Sequence, residues 1–168
     1  MRRRIGLAAT LVCGGALLAP AAAAASGDYA VGGGTNGFFQ LGLSAHSGPS
    51  GEDPGGFVSA RSRPNGGFPA PFRFGGHVTC LTVDDHKASI KYRFDHDADP
   101  TMKDGGIQIF VEDNGPPENG QSVDRTAFEA PLDQAAFEAT QPSVCGDPNV
   151  AGYTPSDSGD IIVHDEQP

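Results

Sequence analysis

Hydrophobic and polar residues alternate with a period of two along most of this 168-residue chain. Phe39, Leu41, Leu43 and Ala45 are interleaved with Gln40, Gly42, Ser44 and His46, the pattern of a strand with one buried face. A shorter candidate covers 57–62. The longest pattern runs over 72–83 through His77-Val78-Thr79-Cys80-Leu81-Thr82-Val83, and Asp84-Asp85-His86-Lys87 is polar enough to turn the chain. Ala88, Ile90, Tyr92 and Phe94 then alternate with Ser89, Lys91, Arg93 and Asp95, so the two runs predict a β-hairpin. Gly106–Glu112 predicts a further strand with Ile107, Ile109 and Val111 on one face. Asn and Gly in 113–120 tolerate φ > 0 and favour a turn, from which 122–130 returns as a strand. Pro131 at a first helical position, followed by Gln134-Ala135-Ala136-Phe137-Glu138, suits one or two helical turns. Residues 142–158 read as loop and 159–164 as a short terminal strand. The expected fold is a single all-β domain over 38–165, an antiparallel β-sandwich or barrel of about seven to eight short strands with one short helix. The Gly-rich segment 26–37 reads as a loose lead-in and 166–168 as a tail.

Composition sharpens this picture. Glycine (24) and proline (14) together make about 23% of the chain, near the level of disordered sequences, but they punctuate the apolar runs as turns do. The chain has no Trp, which removes an indole platform for stacking on sugars or bases.

Residues 1–25 carry a separate signal. Met1-Arg2-Arg3-Arg4 is basic, 5–18 is apolar and uncharged, and Ala19-Pro20 leads into an alanine run over 21–25. These are the three parts of a secretory signal peptide, and an apolar core of about 14 residues is short of the roughly 20 that span a bilayer. Cleavage after Ala25 is expected, and removing 25 of 168 residues leaves 143, the size of one domain with no transmembrane segment. Loss of Arg2, Arg3 and Arg4 leaves eight basic residues against 21 acidic, so the net charge moves from −10 to −13. Such a chain repels nucleic acid and anionic lipid, and neither is expected as a partner.

Cleavage also settles the cysteine arithmetic. Cys13 lies within the leader, where Val12 is bulky at a position that a lipoprotein box keeps small. Cys80 and Cys145 remain, and in an oxidising compartment their simplest state is a Cys80–Cys145 disulfide. Closing a loop of some 65 residues would stabilise the fold by roughly 4 kcal/mol in the chain-entropy model.

Candidate chemistry is sparse. In Asp95-His96-Asp97-Ala98-Asp99 the carboxylates of Asp95, Asp97 and Asp99 share one side of an extended chain and suit Ca²⁺ as hard oxygen ligands. The EF-hand pattern is absent, with Pro100 at the sixth position and Gly106 at the twelfth, so a solvated acidic turn between strands is the reading preferred to calcium. His46, His77, His86, His96 and His164 show no HxH or HExxH spacing. There is no GxSxG elbow, and Gly32-Gly33-Gly34 precedes a strand rather than a helix, so no phosphate loop is formed. The acidic pair Glu112 and Asp113 has no recognisable partner for acid–base work. No catalytic residue and no cofactor is expected, with calcium the one candidate.

Three segments carry a family resemblance: His77-Val78-Thr79-Cys80-Leu81-Thr82-Val83; Gly106 to Phe110 leading into Val111-Glu112-Asp113-Asn114-Gly115-Pro116-Pro117; and Ser158-Gly159-Asp160-Ile161-Ile162-Val163-His164-Asp165. In that order they resemble small secreted β-rich proteins of actinobacteria and related Gram-positives, and are similar to the post-COAP type domains at the ends of larger extracellular proteins. The resemblance spans 39–165. It implies a compact β domain with the Cys80–Cys145 bridge in an extracellular or cell-wall setting, and no catalytic residues. The turn Asp84-Asp85-His86-Lys87 and the acidic stretch 95–99 depart from it. The function expected is therefore a secreted, non-enzymatic β domain that binds an extracellular or cell-wall partner or serves as a structural module. The alternatives are a calcium-dependent glycan-binding module using Asp95, Asp97 and Asp99, and a secreted hydrolase built on scattered histidines and carboxylates.

Overall fold

The alternating runs form strands, and their neighbours in sequence pair with one another. The computed structural model describes residues 27–63, 72–95, 100 and 102–166. The leader expected over 1–25 with its expected cleavage site, His96, Asp97, Asp99 and the last two tail residues lie outside the described residues. The elements are β1 (Asp28–Thr35), β2 (Phe39–Ser47), β3 (Gly55–Ser62), β4 (Arg73–Asp84), β5 (Lys87–Phe94), β6 (Gly106–Glu112), β7 (Arg125–Phe128), α1 (Gln134–Ala139), β8 (Thr154–Pro155) and β9 (Ser158–His164). All nine strands join one antiparallel sheet of order β8-β7-β6-β5-β4-β3-β2-β1-β9, curled into a half-barrel. Alternate residues point into the curl, and Leu41, Leu43, Val58, Ile90, Ile109 and Ile161 are buried there as one apolar core.

The Gly-rich segment expected as a lead-in is strand β1, paired with β2 on one side and β9 on the other. Its glycines serve close backbone approach rather than looseness. A Cβ on Gly32 would run into the Asp160 carbonyl, and one on Gly33 into the Leu41 carbonyl.

Strand β4 carries a bulge. Val78 pairs with Tyr92, but Cys80 pairs with Lys91, leaving Thr79 as the extra residue. The bulge turns Cys80 to the outer face beside Lys91 and returns Leu81 to the core opposite Ile90. Cys80 is bonded to Cys145, with Cα atoms 5.7 Å apart.

That bridge pins a cover over the outer face of the central strands. The Lys91 Nζ donates to the carbonyls of Thr140 (2.8 Å) and Gln141 (3.4 Å), and the Thr79 hydroxyl donates to the Pro142 carbonyl at 2.8 Å. Helix α1 is N-capped by Asp133, which accepts the Ala136 amide at 2.9 Å. Its Phe137, 1% exposed, sits against Gly106, where any side chain would meet the ring. Strand β6 is consequently buried along its whole length. On the other side of the roll, the outer amides of β9 meet carboxylates instead of a strand. Ile161 N donates to Asp124 at 2.7 Å and Val163 N to Asp113 at 3.1 Å, which blunts this edge against pairing with other chains.

Candidate functional site

The strand alternation also decides what lines the open end of the half-barrel. At the end where β2, β4 and β6 begin and β3, β5 and β7 finish, the inward positions are mostly aromatic. Phe39, Phe74, Tyr92, Ile107 and Phe128, with Ala60, Phe72, Glu129 and Pro131, surround a cavity of about 340 Å³. The rings brace one another. Phe39 and Phe128 meet edge to face with centroids 4.3 Å apart, Phe74 stacks on Phe72 (5.0 Å) and on Phe94 (4.8 Å), and Tyr92 meets Phe94 edge-on at 5.7 Å. Burial pushes the Tyr92 phenol well above its ordinary range, so the ring is uncharged at any working pH.

The volume falls within the range of small-molecule sites, and the lining is hydrophobic except for Glu129 at the rim. Eight-stranded and similarly rolled sheets have room inside for side chains or for one small ligand. The cavity lining contains no nucleophile with an adjacent base and no set of metal ligands. Apolar burial and ring contacts are what it offers a bound molecule.

The described residues singled out from sequence lie elsewhere. Asp95 follows β5, donates its amide to the Gly75 carbonyl at 2.8 Å, and places its carboxylate 3.6 Å from His77 Nε2. Asp97 and Asp99, its expected partners for calcium, are outside the described residues. Among the described residues no three His, Cys, Asp or Glu side chains are gathered to share an ion. His46 and His164 flank Tyr29 in one row across β2, β1 and β9, with His164 stacked on its ring (4.8 Å), whereas His77 is on β4 and His86, in the turn after it, lies 2.7 Å from Asp85 and 3.8 Å from Glu112. His96 is outside the described residues. Glu112 and Asp113 both have structural partners. Glu112 pairs with Lys87 (3.7 Å) and Arg125 (3.4 Å), and Asp113 accepts the Gly115 and Val163 amides. Cys80 and Cys145 form the expected disulfide.

The aromatic mouth was not legible along the chain. Its residues belong to separate strands and come together only through register, although Phe39, Phe72, Phe74 and Tyr92 each stand near a strand end. Among the described residues no helix is long and apolar enough to cross a membrane. Comparisons of the chain with protein-family models, with curated proteins and with solved structures found no match.

Proposed function

We propose that this protein is a secreted, non-enzymatic binding module that takes a small apolar molecule into the aromatic mouth of its half-barrel. The observation that carries the reading is the cavity of about 340 Å³ with a hydrophobic lining contributed by six strands. Secretion is supported by the basic, apolar and small-residue segments of 1–25 and agrees with a disulfide that needs an oxidising compartment. The resemblance to secreted actinobacterial β-rich proteins points the same way.

The test is uptake of a neutral apolar dye, N-phenylnaphthylamine, by protein collected from culture medium, where the chain should begin at Ser26. Because the chain has no Trp, dye emission is read without indole background. Saturable, one-to-one enhancement is expected. Ala60→Phe fills the cavity from β3 and should abolish uptake while thermal stability holds. Phe128→Ser, which opens the mouth from β7, should weaken uptake as a second variant. Absence of saturable uptake, or unchanged uptake in both variants, would overturn the proposal.

A further inference from the structure

The outer face of β1–β4 is a second surface, on the side of the sheet opposite the apolar mouth. Register aligns its side chains in rows running across the strands. One row is Thr35, Gln40, Arg61 and Arg73; the next is Gly33, Gly42, Ser59 and Gly75; the third is Val31, Ser44, Phe57 and His77. The middle row has almost no side chains, so it is the floor of a trench with the other two rows as walls. Four strands about 4.8 Å apart make the trench roughly 14 Å long. Beside the arginine wall lies a cavity of about 330 Å³, lined by Gln40, Gly42, Ser59, Arg61 and Arg73 among others.

The arginine wall is anomalous for this chain. Arg61 and Arg73 stand directly opposite each other, an arrangement of like charges that costs stability. Arg63, Arg93 and Arg125 each hold a carboxylate, that of Asp157, Glu138 and Glu112 respectively. Arg61 instead donates through Nε (2.8 Å) and Nη2 (2.5 Å) to the amide oxygen of Gln40. Among the described residues neither Arg61 nor Arg73 has a carboxylate within ion-pair distance, in a chain of net charge −10. Two arginines paired across neighbouring strands, with no carboxylate to share, offer their remaining guanidinium N–H groups to one oxyanion.

The opposite wall supplies a ring. Phe57 is 41% exposed, lies over Gly75 with its Cζ 3.3 Å from where a Cβ would stand, and is met edge-on by His77 at 5.7 Å. We propose that this trench binds an acidic saccharide, its carboxylate or sulfate held by Arg61 and Arg73 and a sugar face laid against Phe57. The peptide groups of the floor are committed to the sheet ladder, so an acidic peptide would find no main-chain partners there. Sugar hydroxyls need none, because Gln40, Ser44, Ser59 and Thr35 present neutral polar groups along the walls and floor. The surrounding negative charge keeps polyanions from adhering elsewhere, which makes the arginine pair selective.

Calorimetric titration of the full secreted chain tests this with hexasaccharides of three kinds: oligogalacturonate, a sulfated oligosaccharide and a neutral glucan. Binding of one or both acidic ligands, with none of the neutral one, is expected, and the acidic arm that binds identifies the oxyanion. Arg61→Gln and Arg73→Gln should each weaken binding by roughly tenfold or more. Gly42→Val fills the trench, and a Cβ there meets only the Ser59 hydroxyl at 3.4 Å, so the melting temperature should hold while binding is lost. The proposal is overturned by no binding, by equal binding of the neutral glucan, by variants that bind like the parent, or by poly-glutamate binding as tightly as the saccharide.

Discussion

Asp124 is 1% exposed, and three backbone amides converge on it. Its carboxylate accepts Ile161 N at 2.7 Å and Asn114 N at 3.0 Å, and its own carbonyl accepts Ser156 N at 2.9 Å. One side chain thus joins the turn after β6 to the last strand of the sheet. Burial raises its pKa, the two amide bonds pull it back, and the neighbouring charges of Asp113 and Asp160 raise it further. Asp124→Ala leaves the buried Ile161 amide without an acceptor, and an unsatisfied donor of that kind costs about 1–3 kcal/mol. Urea melts should show a loss of that size, with hydrogen exchange at Ile161 accelerating more than at Ile90 in the core. An unchanged melt would mean that β9 is held by β1 alone. Lys91 is a second case of a buried ionic group placed by backbone. It is 5% exposed with its pKa lowered by burial, and its ammonium caps the carbonyls at the end of α1.

At the scale of elements, the bulge in β4 decides which face each cysteine and leucine takes. Deleting one residue from a strand ordinarily turns every following side chain to the wrong face. Thr79 is the exception, because Val78 and Cys80 already pair with consecutive residues of β5. A chain lacking Thr79 should fold with the register kept and the Cys80–Cys145 bridge formed, losing about 1 kcal/mol with the hydrogen bond to Pro142. Deleting Thr82 should instead turn Val83 out of the core and shift the Asp85-His86 turn, giving a strongly destabilised chain. Equal damage from the two deletions, read by thermal melts and thiol alkylation, would refute this account. The same bulge marks what was readable in the sequence. The hairpin, β2, β3, β6, β9, the short helix and the disulfide follow from alternation, turn residues and cysteine count, all properties of neighbours along the chain. Strand β1 was not legible, because glycine normally argues against a strand and here permits approach between β2 and β9. The aromatic mouth and the glycine-floored trench were hidden for a different reason: each is a row across strands, and rows exist only once register is fixed. Gln40, Arg61 and Arg73 are far apart in sequence and adjacent only through the pairing of β2, β3 and β4.

For the whole molecule, charge and curvature combine. A half-barrel with a net charge of −10 carries self-repulsion that favours expansion and that salt screens. Two buried acids add to this. Asp28, like Asp124, has its pKa raised first by burial; its carboxylate accepts the Glu166 amide at 3.0 Å, with the charges of Asp165 and Glu166 close by. An acid whose pKa is higher in the folded chain than in the unfolded one binds its proton more tightly when folded. Its contribution to stability is fully present below the ordinary value of 3.8 and is lost as pH rises through the raised folded value. Self-repulsion grows in the same direction as the carboxylates ionise. The melting temperature should therefore be higher near pH 4 than near pH 7, and about 0.5 M NaCl should raise it more near pH 7 than near pH 4. A melting temperature that climbs from about pH 4 to about pH 7 would show that carboxylates stabilised by ion pairs, such as Glu112 between Lys87 and Arg125, outweigh the buried acids and the net charge. Because Arg61 and Arg73 stand side by side on one wall of the trench, a bound oxyanion relieves a repulsion that salt also screens. The stabilisation given by an acidic saccharide should accordingly shrink as salt is added, whereas that given by an apolar ligand in the mouth should not.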